Sequence, residues 1–318
     1  MTGAYYSLNQ YVQDTYGEKL YRLSLNGGMS CPNRDGTLGT GGCIFCSEGG
    51  SGDFASDGMF SISEQIAHAK TRVQGKFKGS HYIGYFQSFT NTYGPVDYLE
   101  RLFSETLQSP EIRLISIATR PDCVGKDVAD LLCRLREKEW PLQTEDGICY
   151  TRKDIWVELG LQTIHEETAA LIHRGYPLSI FEDTYRRLQA AKIPCIVHVI
   201  LGLPGETKTD MLATIDYLAE KQISGIKLQL LHILRNTQLA ELYESNPFPI
   251  FEMDEYISFL SECLEHLPAT TVIHRLTGDG PKNLLIAPLW SGDKKRVLNT
   301  LNHYLKEHDI RQGKQYSK

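Results

Sequence analysis

Three cysteines in one glycine-rich loop are the residues of this chain best suited to chemistry. The stretch Cys31-Pro-Asn-Arg-Asp-Gly-Thr-Leu-Gly-Thr-Gly-Gly-Cys43-Ile-Phe-Cys46 leaves eleven residues between the first pair and two between the second. A short loop cannot bury its thiols in a core, so their proximity points to a common centre. A structural zinc site is closed by four Cys or His ligands, and the next histidines, His68 and His81, belong to a different strand–helix unit. Thiolates also hold iron–sulfur clusters, and three of them on a [4Fe–4S] cluster leave one iron open to a substrate or cofactor. A zinc knob with a distant fourth ligand, and loop cysteines of no consequence, are the alternatives.

Such a loop needs a scaffold, and the hydrophobic pattern supplies one. Residues 20–25 alternate as a strand that leads into the cysteines. Strand-like runs recur at 81–86, 112–118, 155–159, 196–201 and 225–231, with a short extra one at 271–276. Between them lie helical patterns: Ser61 or Ser63 caps one reaching Arg72, and Pro95 marks the first turn of another. Val128, Leu131, Leu132 and Leu135 form a third, followed by stretches at 166–173 and 180–191 and by Met211, Leu212, Ile215 and Leu218. Residues 1–19 read as a polar lead-in, and 47–58 as an irregular segment. This alternation predicts an α/β fold: a partial (β/α)6 TIM-like barrel, with a parallel sheet built from about six βα units. No linker divides the chain, so residues 1–318 read as one domain, with a core over about 15–235 and a C-terminal extension over about 236–318.

In such a fold the active site lies at the C-terminal ends of the strands. Gln87, Thr90 and Asn91 follow strand two there, where turn chemistry is the competing explanation. Arg120 closes strand three and suits a carboxylate or phosphate. Glu158 and Gln162 close strand four; a carboxylate in an apolar strand needs a partner, and Arg174 is the candidate. A structural ion pair inside the barrel is the alternative to ligand contact. Gly202-Leu203-Pro204-Gly205-Glu206 combines close backbone approach with a stiff turn, more than an ordinary βα turn requires. Leu228-Gln-Leu230-Leu-His232 ends strand six, and His198 and His232 read equally as satisfied interior histidines.

Cys43-Ile-Phe-Cys46 resembles the second half of the cluster motif of the radical S-adenosylmethionine (SAM) superfamily. The commonest first spacer of that motif is three residues, and the eleven found here are similar to the YtqA/YhcC-like branch, related to the catalytic subunit of Elongator. The resemblance extends over about residues 15–300. It implies that Cys31, Cys43 and Cys46 bind a [4Fe–4S] cluster and that SAM chelates its open iron and is cleaved to a 5′-deoxyadenosyl radical. It also implies SAM contacts from Gln87, Thr90 and Asn91, from the Glu158-Leu-Gly-Leu-Gln162 element, from the Gly202–Glu206 turn with Pro204 and Gly205, and from the strand around Leu230. An acid–base residue is not identifiable.

Composition bounds the partners. Hydrophobic residues make up 41% and charged residues 23%, an ordinary globular balance. No apolar run reaches the roughly 18 residues of a membrane span, and the N-terminus lacks a signal pattern, so a cytosolic protein with no membrane partner is expected. The net charge of −6 argues against indiscriminate nucleic-acid binding but leaves local basic groups at Lys70, Arg72, Lys76, Lys78 and at Lys294, Lys295, Arg296, with Lys306, Arg311, Lys314 and Lys318 behind. The scattered Cys123, Cys133, Cys149, Cys195 and Cys263 read mostly as small buried hydrophobes.

For the substrate, the resemblance implies a tRNA wobble uridine, with removal of the carboxymethyl part of a carboxymethylaminomethyl group to leave aminomethyl. A flavodoxin- or ferredoxin-type reductant is then implied. The basic clusters would contact phosphates, the tail would help clasp an anticodon stem-loop, and His274-Arg275-Leu-Thr-Gly-Asp279-Gly280 would face the substrate. The alternatives are a small-molecule oxidation by the same chemistry and a non-catalytic metal-binding or electron-transfer protein.

Overall fold

A computed structural model describes residues 3–50, 58–73, 75, 79–278 and 280–317. Residues 51–57 of the expected irregular segment, and Lys76, Lys78, Asp279 and Lys318, lie outside the described residues. The chain runs α1 (Leu8–Tyr16), β1 (Tyr21–Leu25), α2 (Ile62–Val73), β2 (Tyr82–Phe86), α3 (Val96–Gln108), β3 (Ile112–Thr119) and α4 (Lys126–Glu137). A hairpin of β4 (Glu139–Thr144) and β5 (Gly147–Arg152) precedes β6 (Asp154–Gln162), α5 (Glu166–Leu171), α6 (Leu178–Ala190), β7 (Cys195–Leu201) and α7 (Lys208–Glu220). Then follow β8 (Gly225–Leu230), β9 (Ile233–Leu234), α8 (Gln238–Ser245), α9 (Met253–His266), β10 (Val272–Arg275), β11 (Leu285–Ala287) and α10 (Lys294–Glu307).

Seven strands form one parallel sheet in the order β1-β2-β3-β6-β7-β8-β10. The two edges approach each other: Arg22 Nη2 on β1 lies 3.1 Å from His274 Nδ1 on β10. Lys227 Nζ on β8 reaches Tyr85 Oη on β2 at 2.8 Å. Contacts across the concave face between strands so far apart in the sheet require it to curl into a partial barrel. The run at 271–276 is the seventh strand, because Val272 and Ile273 bury against β8.

Side-chain alternation sorts the sheet into two faces. Outward residues such as Leu23, Phe86, Ile115, Val157, Val197 and Leu228 pack under the surrounding helices in the main core. Inward residues form layers. The lowest is apolar: Ile83, Leu114, Trp156 and Ile196 pack with Val12 of α1. The polar lead-in expected at the N-terminus is thus a helix that plugs the barrel floor, with Leu8, Tyr11, Tyr16 and Leu20 against the same layer. Its ends carry the usual signals: Ser7 accepts from Gln10 N, and Gly17 closes it at φ 75°. The sequence reading missed it because its apolar residues are sparse and half of them are tyrosines, and missed the β4–β5 hairpin because most of its side chains are exposed.

The C-terminal tail docks away from the open end of the barrel. Gln312 is buried, its backbone N–H donates to Ala4 O, and its side chain donates to Pro268 O and Thr271 O beside the start of β10. Arg311 pairs with Asp309 and Lys314 lies 3.7 Å from Glu265. The last residues of the tail thus brace the end of the barrel opposite the thiols. Among the remaining cysteines, Cys195 and Cys263 are buried, Cys123 and Cys133 half-buried, and Cys149 stands exposed on the hairpin. Among the described residues no helix is long and apolar enough to cross a membrane.

A candidate active site at the open end of the barrel

The cysteine loop leaves β1 at the C-terminal end of the sheet and folds back over it through short-range hydrogen bonds. Asn33 is its main anchor: Nδ2 donates to His173 O at 2.7 Å and Arg174 O at 3.3 Å, and lies 3.5 Å from Cys43 Sγ. Arg34 donates to Ser47 O at 2.6 Å and to the carbonyls of Cys46 and Glu48, beneath the Phe89 ring. Gly42 and Gly50 take left-handed conformations, at φ 76° and 55°, and a Cβ at either would meet Arg34 Nε at 2.8 Å or the Phe89 ring at 2.3 Å. These glycines let the backbone close around its own side chains.

Cys31, Cys43 and Cys46 line one cavity of about 150 Å³. The hydrogen bond with Cys46 lowers Cys43 to about 7 against the effect of burial, helped by Arg120, Asn33 and Arg34. Among the described residues no three His, Cys, Asp or Glu are gathered to hold a single metal ion. A cubane cluster makes no such demand, since each thiolate binds a different iron. Three soft donors on one wall, with the Arg34 and Arg120 guanidinium groups nearby, fit that group.

Six further side chains of the sequence reading surround the thiols. Gln87, Thr90, Arg120, Glu158, Gln162 and Arg174 all line the same cavity. Gln162 ends β6 at φ 64°, and its buried Oε1 has no partner. A non-glycine residue held there with an unmet acceptor is a typical mark of a ligand wall. Asn91 lies deeper: it is fully buried, and its Nδ2 donates to Ala118 O at 2.9 Å. Leu230 lines an adjoining cavity of about 160 Å³, which shares Phe45, Gln87, Gln162, His198, Gln229 and Arg275 with the first. Gly202, Pro204 and Gly205 line a third cavity of about 320 Å³, with Phe248 and Phe251, rather than the one beside the thiols.

The expected pairing of Glu158 with Arg174 does not occur. Arg174 sits in the loop after α5, where it donates to the carbonyls of Tyr176, Leu161 and Thr163 and pairs with Glu166 at 3.1 Å. Glu158 lies several residues back along its strand, inside the barrel and wholly buried. There it accepts from Ser116 Oγ at 2.7 Å, from His198 Nε2 at 2.7 Å and from Lys227 Nζ. Burial alone would raise its pKa, but Lys227 and the His198 hydrogen bond hold the carboxyl well below the usual range. His198 goes the other way: burial and Lys227 outweigh Glu158 and lower it to about 4, so it is neutral and donates from Nε2. Arg120 is likewise committed, to Asp122 in a two-pronged pair and to Arg174 O.

Lys227 is the functional residue that sequence reasoning missed. Its signal was present: in Gly225-Ile-Lys-Leu-Gln-Leu230 the polar Lys227 and Gln229 alternate with apolar residues and so share the inner face. Asn33 had no such signal, being one polar loop residue among several. Arg275, from the motif expected to face a substrate, lines both main cavities, and Gly278 and Gly280 line the second beside His232.

Comparison with known proteins agrees with this geometry. The radical SAM superfamily model matches residues 36–218, and the Radical_SAM C-terminal domain model matches 223–307. The YtqA protein of Bacillus subtilis is 39% identical over 310 residues, spanning 98% of this chain and 92% of its own. The YhcC protein of Escherichia coli is 34% identical over 295 residues, spanning 93% and 90%. Elongator complex protein 3 of Mus musculus is 21% identical over 211 residues, or 65% of this chain and 34% of that protein. Among solved structures, the archaeal Elp3 of Methanocaldococcus infernus superposes with a TM-score of 0.66 at 13% identity, covering 92% of this chain and 64% of that one.

Proposed function

Because this chain belongs to the radical SAM superfamily, we propose that it uses a [4Fe–4S] cluster and SAM to modify the C5 side chain of a tRNA wobble uridine, converting carboxymethylaminomethyl to aminomethyl. The observation that carries the radical SAM reading is the shared cavity of Cys31, Cys43 and Cys46 at the C-terminal ends of the strands. When bound, the cluster and SAM supply a 5′-deoxyadenosyl radical for hydrogen abstraction. The chain holds and shields that chemistry. Asn33 and Arg34 fix the thiol loop, Gln87, Thr90, Gln162 and Arg174 offer polar contacts to SAM, and the apolar floor under α1 closes the barrel to water from below.

The RNA substrate is supported by similarity to Elongator complex protein 3 and by the placement of charge. Lys294, Lys295 and Arg296 open α10, which follows β11 after a short turn at Leu289–Gly292; β11 pairs with β9 beyond the end of β8. That basic run thus stands at the same end of the barrel as the thiols, and suits phosphate contacts. Electron supply would come from a flavodoxin- or ferredoxin-type protein.

The test is anaerobic formation of 5′-deoxyadenosine by reconstituted protein with dithionite and SAM, with and without tRNA from cells lacking this protein. Formation that rises with tRNA, together with the mass change at the wobble uridine, supports the proposal. Formation indifferent to tRNA would remove the RNA and leave a small-molecule substrate. No formation from a fully loaded cluster would overturn the enzyme.

A further inference from the structure

The β4–β5 hairpin sits at the end of the barrel opposite the thiols, just before β6 begins, and its two edges are unequal. The outward edge of β4 is used: Gln143 N donates to Pro110 O at 2.9 Å, and Gln143 O lies 2.7 Å from His81 Nε2. Both backbone groups of Gln143 therefore point away from β5, so its opposite residue Ile148 belongs to a non-hydrogen-bonded pair of the ladder. Ile148 must then turn its own N–H and C=O away from β4. By the alternation of the ladder Tyr150 and Arg152 do the same, while Cys149 and Thr151 bond to β4. Among the described residues no backbone group takes the outward N–H or C=O of Ile148 or Tyr150.

An open edge is normally blunted by a charge, a proline or a bulge within the strand. Gly147-Ile-Cys-Tyr-Thr-Arg152 has none of these before its last residue. It presents β-favouring apolar side chains instead, with Ile148 58% and Tyr150 65% exposed. Its charges stand at the two ends: Glu145 and Asp146 in the turn before it, and Arg152 at its close, all exposed. Neither Asp146 nor Arg152 has a side-chain partner among the described residues. A strand that is acidic at one end and basic at the other is complementary to a copy of itself run antiparallel.

We propose that β5 is a self-pairing surface: two copies of this chain join edge to edge, antiparallel, about a two-fold axis at Cys149, and merge their hairpins into one continuous sheet. Ile148 of one copy then lies opposite Tyr150 of the other, and the outward groups of each such pair exchange N–H···O=C bonds in both directions. Arg152 comes alongside the Asp146 turn of the second copy, once on each side of the axis. Registers centred on Ile148 or Tyr150 lose this match, because they set Asp146 against Tyr150 or Ile148 against Arg152. Cys149 faces its own copy in a non-hydrogen-bonded pair, with a Cα separation of about 4.5 Å, within the range of a disulfide. The hairpin lies far from the thiols, so the open ends of both barrels stay free for substrate, whatever its class.

The test is sedimentation velocity of the full chain under anaerobic conditions, across a concentration series. A monomer–dimer midpoint of about 10–100 µM is expected, since one short edge buries less than a standard interface. Ile148→Pro removes an outward N–H and no bond to β4, and should weaken the dimer at least about tenfold. Asp146→Lys and Arg152→Glu should each weaken it by about as much, and the two together in one chain should restore it, which a merely sticky surface would not do. Diamide, which takes up the two protons and two electrons of a thiol pair, should cross-link the parent dimer and leave Cys149→Ser uncross-linked. An unchanged melting temperature shows that each variant is folded. A monomer throughout the series would overturn the inference. So would a dimer that survives Ile148→Pro, or a charge swap that restores nothing, either of which would place the contact on another face.

Discussion

Glu158 Oε2 and His198 Nε2, forty residues apart in the chain, meet 2.7 Å apart in the middle of the barrel, and Lys227 Nζ binds the same carboxylate oxygen. One buried carboxylate thus orders side chains from three neighbouring strands. Glu158→Gln keeps the shape and removes the charge, leaving Lys227 without its anion. The expected loss is about 3–5 kcal/mol of unfolding free energy, the usual cost of breaking a buried pair. Urea unfolding of the variant against the parent measures it; a loss below about 1 kcal/mol would mean that the lumen is wetter than its burial indicates.

Acid should destabilise the fold through the interior histidines. The folded-state pKa of His198 is lowered to about 4 from its ordinary 6.5, and that of His274 is lowered too. Between those values the unfolded chain binds more protons than the folded one, so stability falls as pH drops from about 6.5 towards 4. Glu158, held low, adds its own loss only below about 4.5. His198→Gln should flatten the upper part of the profile. Denaturation midpoints across that window check this, and an unchanged slope would assign the proton uptake to other groups.

Cluster assembly depends on the thiols and on one amide. Cys43→Ala should abolish the iron–sulfur absorption after anaerobic reconstitution, and an intact spectrum would sink the ligand assignment. Asn33→Ala removes hydrogen bonds from the loop to His173 O and Arg174 O. It should lower iron content and cost about 1–3 kcal/mol through the His173 carbonyl left unmet, Arg174 O keeping its bond from Arg120. Gly175→Ala is expected to mimic it, because a Cβ at φ 81° would meet Asn33 Oδ1 at 2.5 Å.

Lys153 offers a control far from the chemistry. Its ammonium is buried and donates at 2.8 Å to the carbonyls of Leu107 and Ser109 at the end of α3. Burial, with Arg113, lowers it to about 7. Lys153→Met should destabilise by about 1–3 kcal/mol while SAM cleavage by the folded fraction is retained. Loss of cleavage in a fully folded variant would contradict a purely structural role.

The basic run at the start of α10 should matter for RNA and not for SAM. Replacing Lys294, Lys295 and Arg296 with Gln should weaken tRNA binding across sequences and reduce the salt dependence by about one unit for each phosphate that is no longer neutralised. RNA-free 5′-deoxyadenosine formation is the comparison. Unchanged RNA affinity would move the docking face elsewhere.

Much of this was legible in one dimension. Strands betray themselves by period-two alternation and helices by a 3.6-residue stripe, both local properties, so the α/β order and the strand-end position of the thiols could be read directly. The Cys31–Cys46 loop was legible for a similar reason, since thiols so close in sequence have few other places to go. Its neighbours Gln87, Thr90, Arg120 and Gln162 followed from their positions just after strands, which a parallel barrel brings to one rim.

Only the tertiary structure decided which charges meet. Arg174 was the nearer cation to Glu158 in sequence, but the loop carries it over the rim to bind carbonyls, while Lys227 arrives from 69 residues away on β8. The same curl sets Arg22 beside His274, and lets α1 seal the floor with a stripe too sparse to announce a helix. Periodicity says which face a side chain takes. How far a sheet bends, and so what stands opposite across its lumen, depends on packing summed over seven strands and carries no local signature.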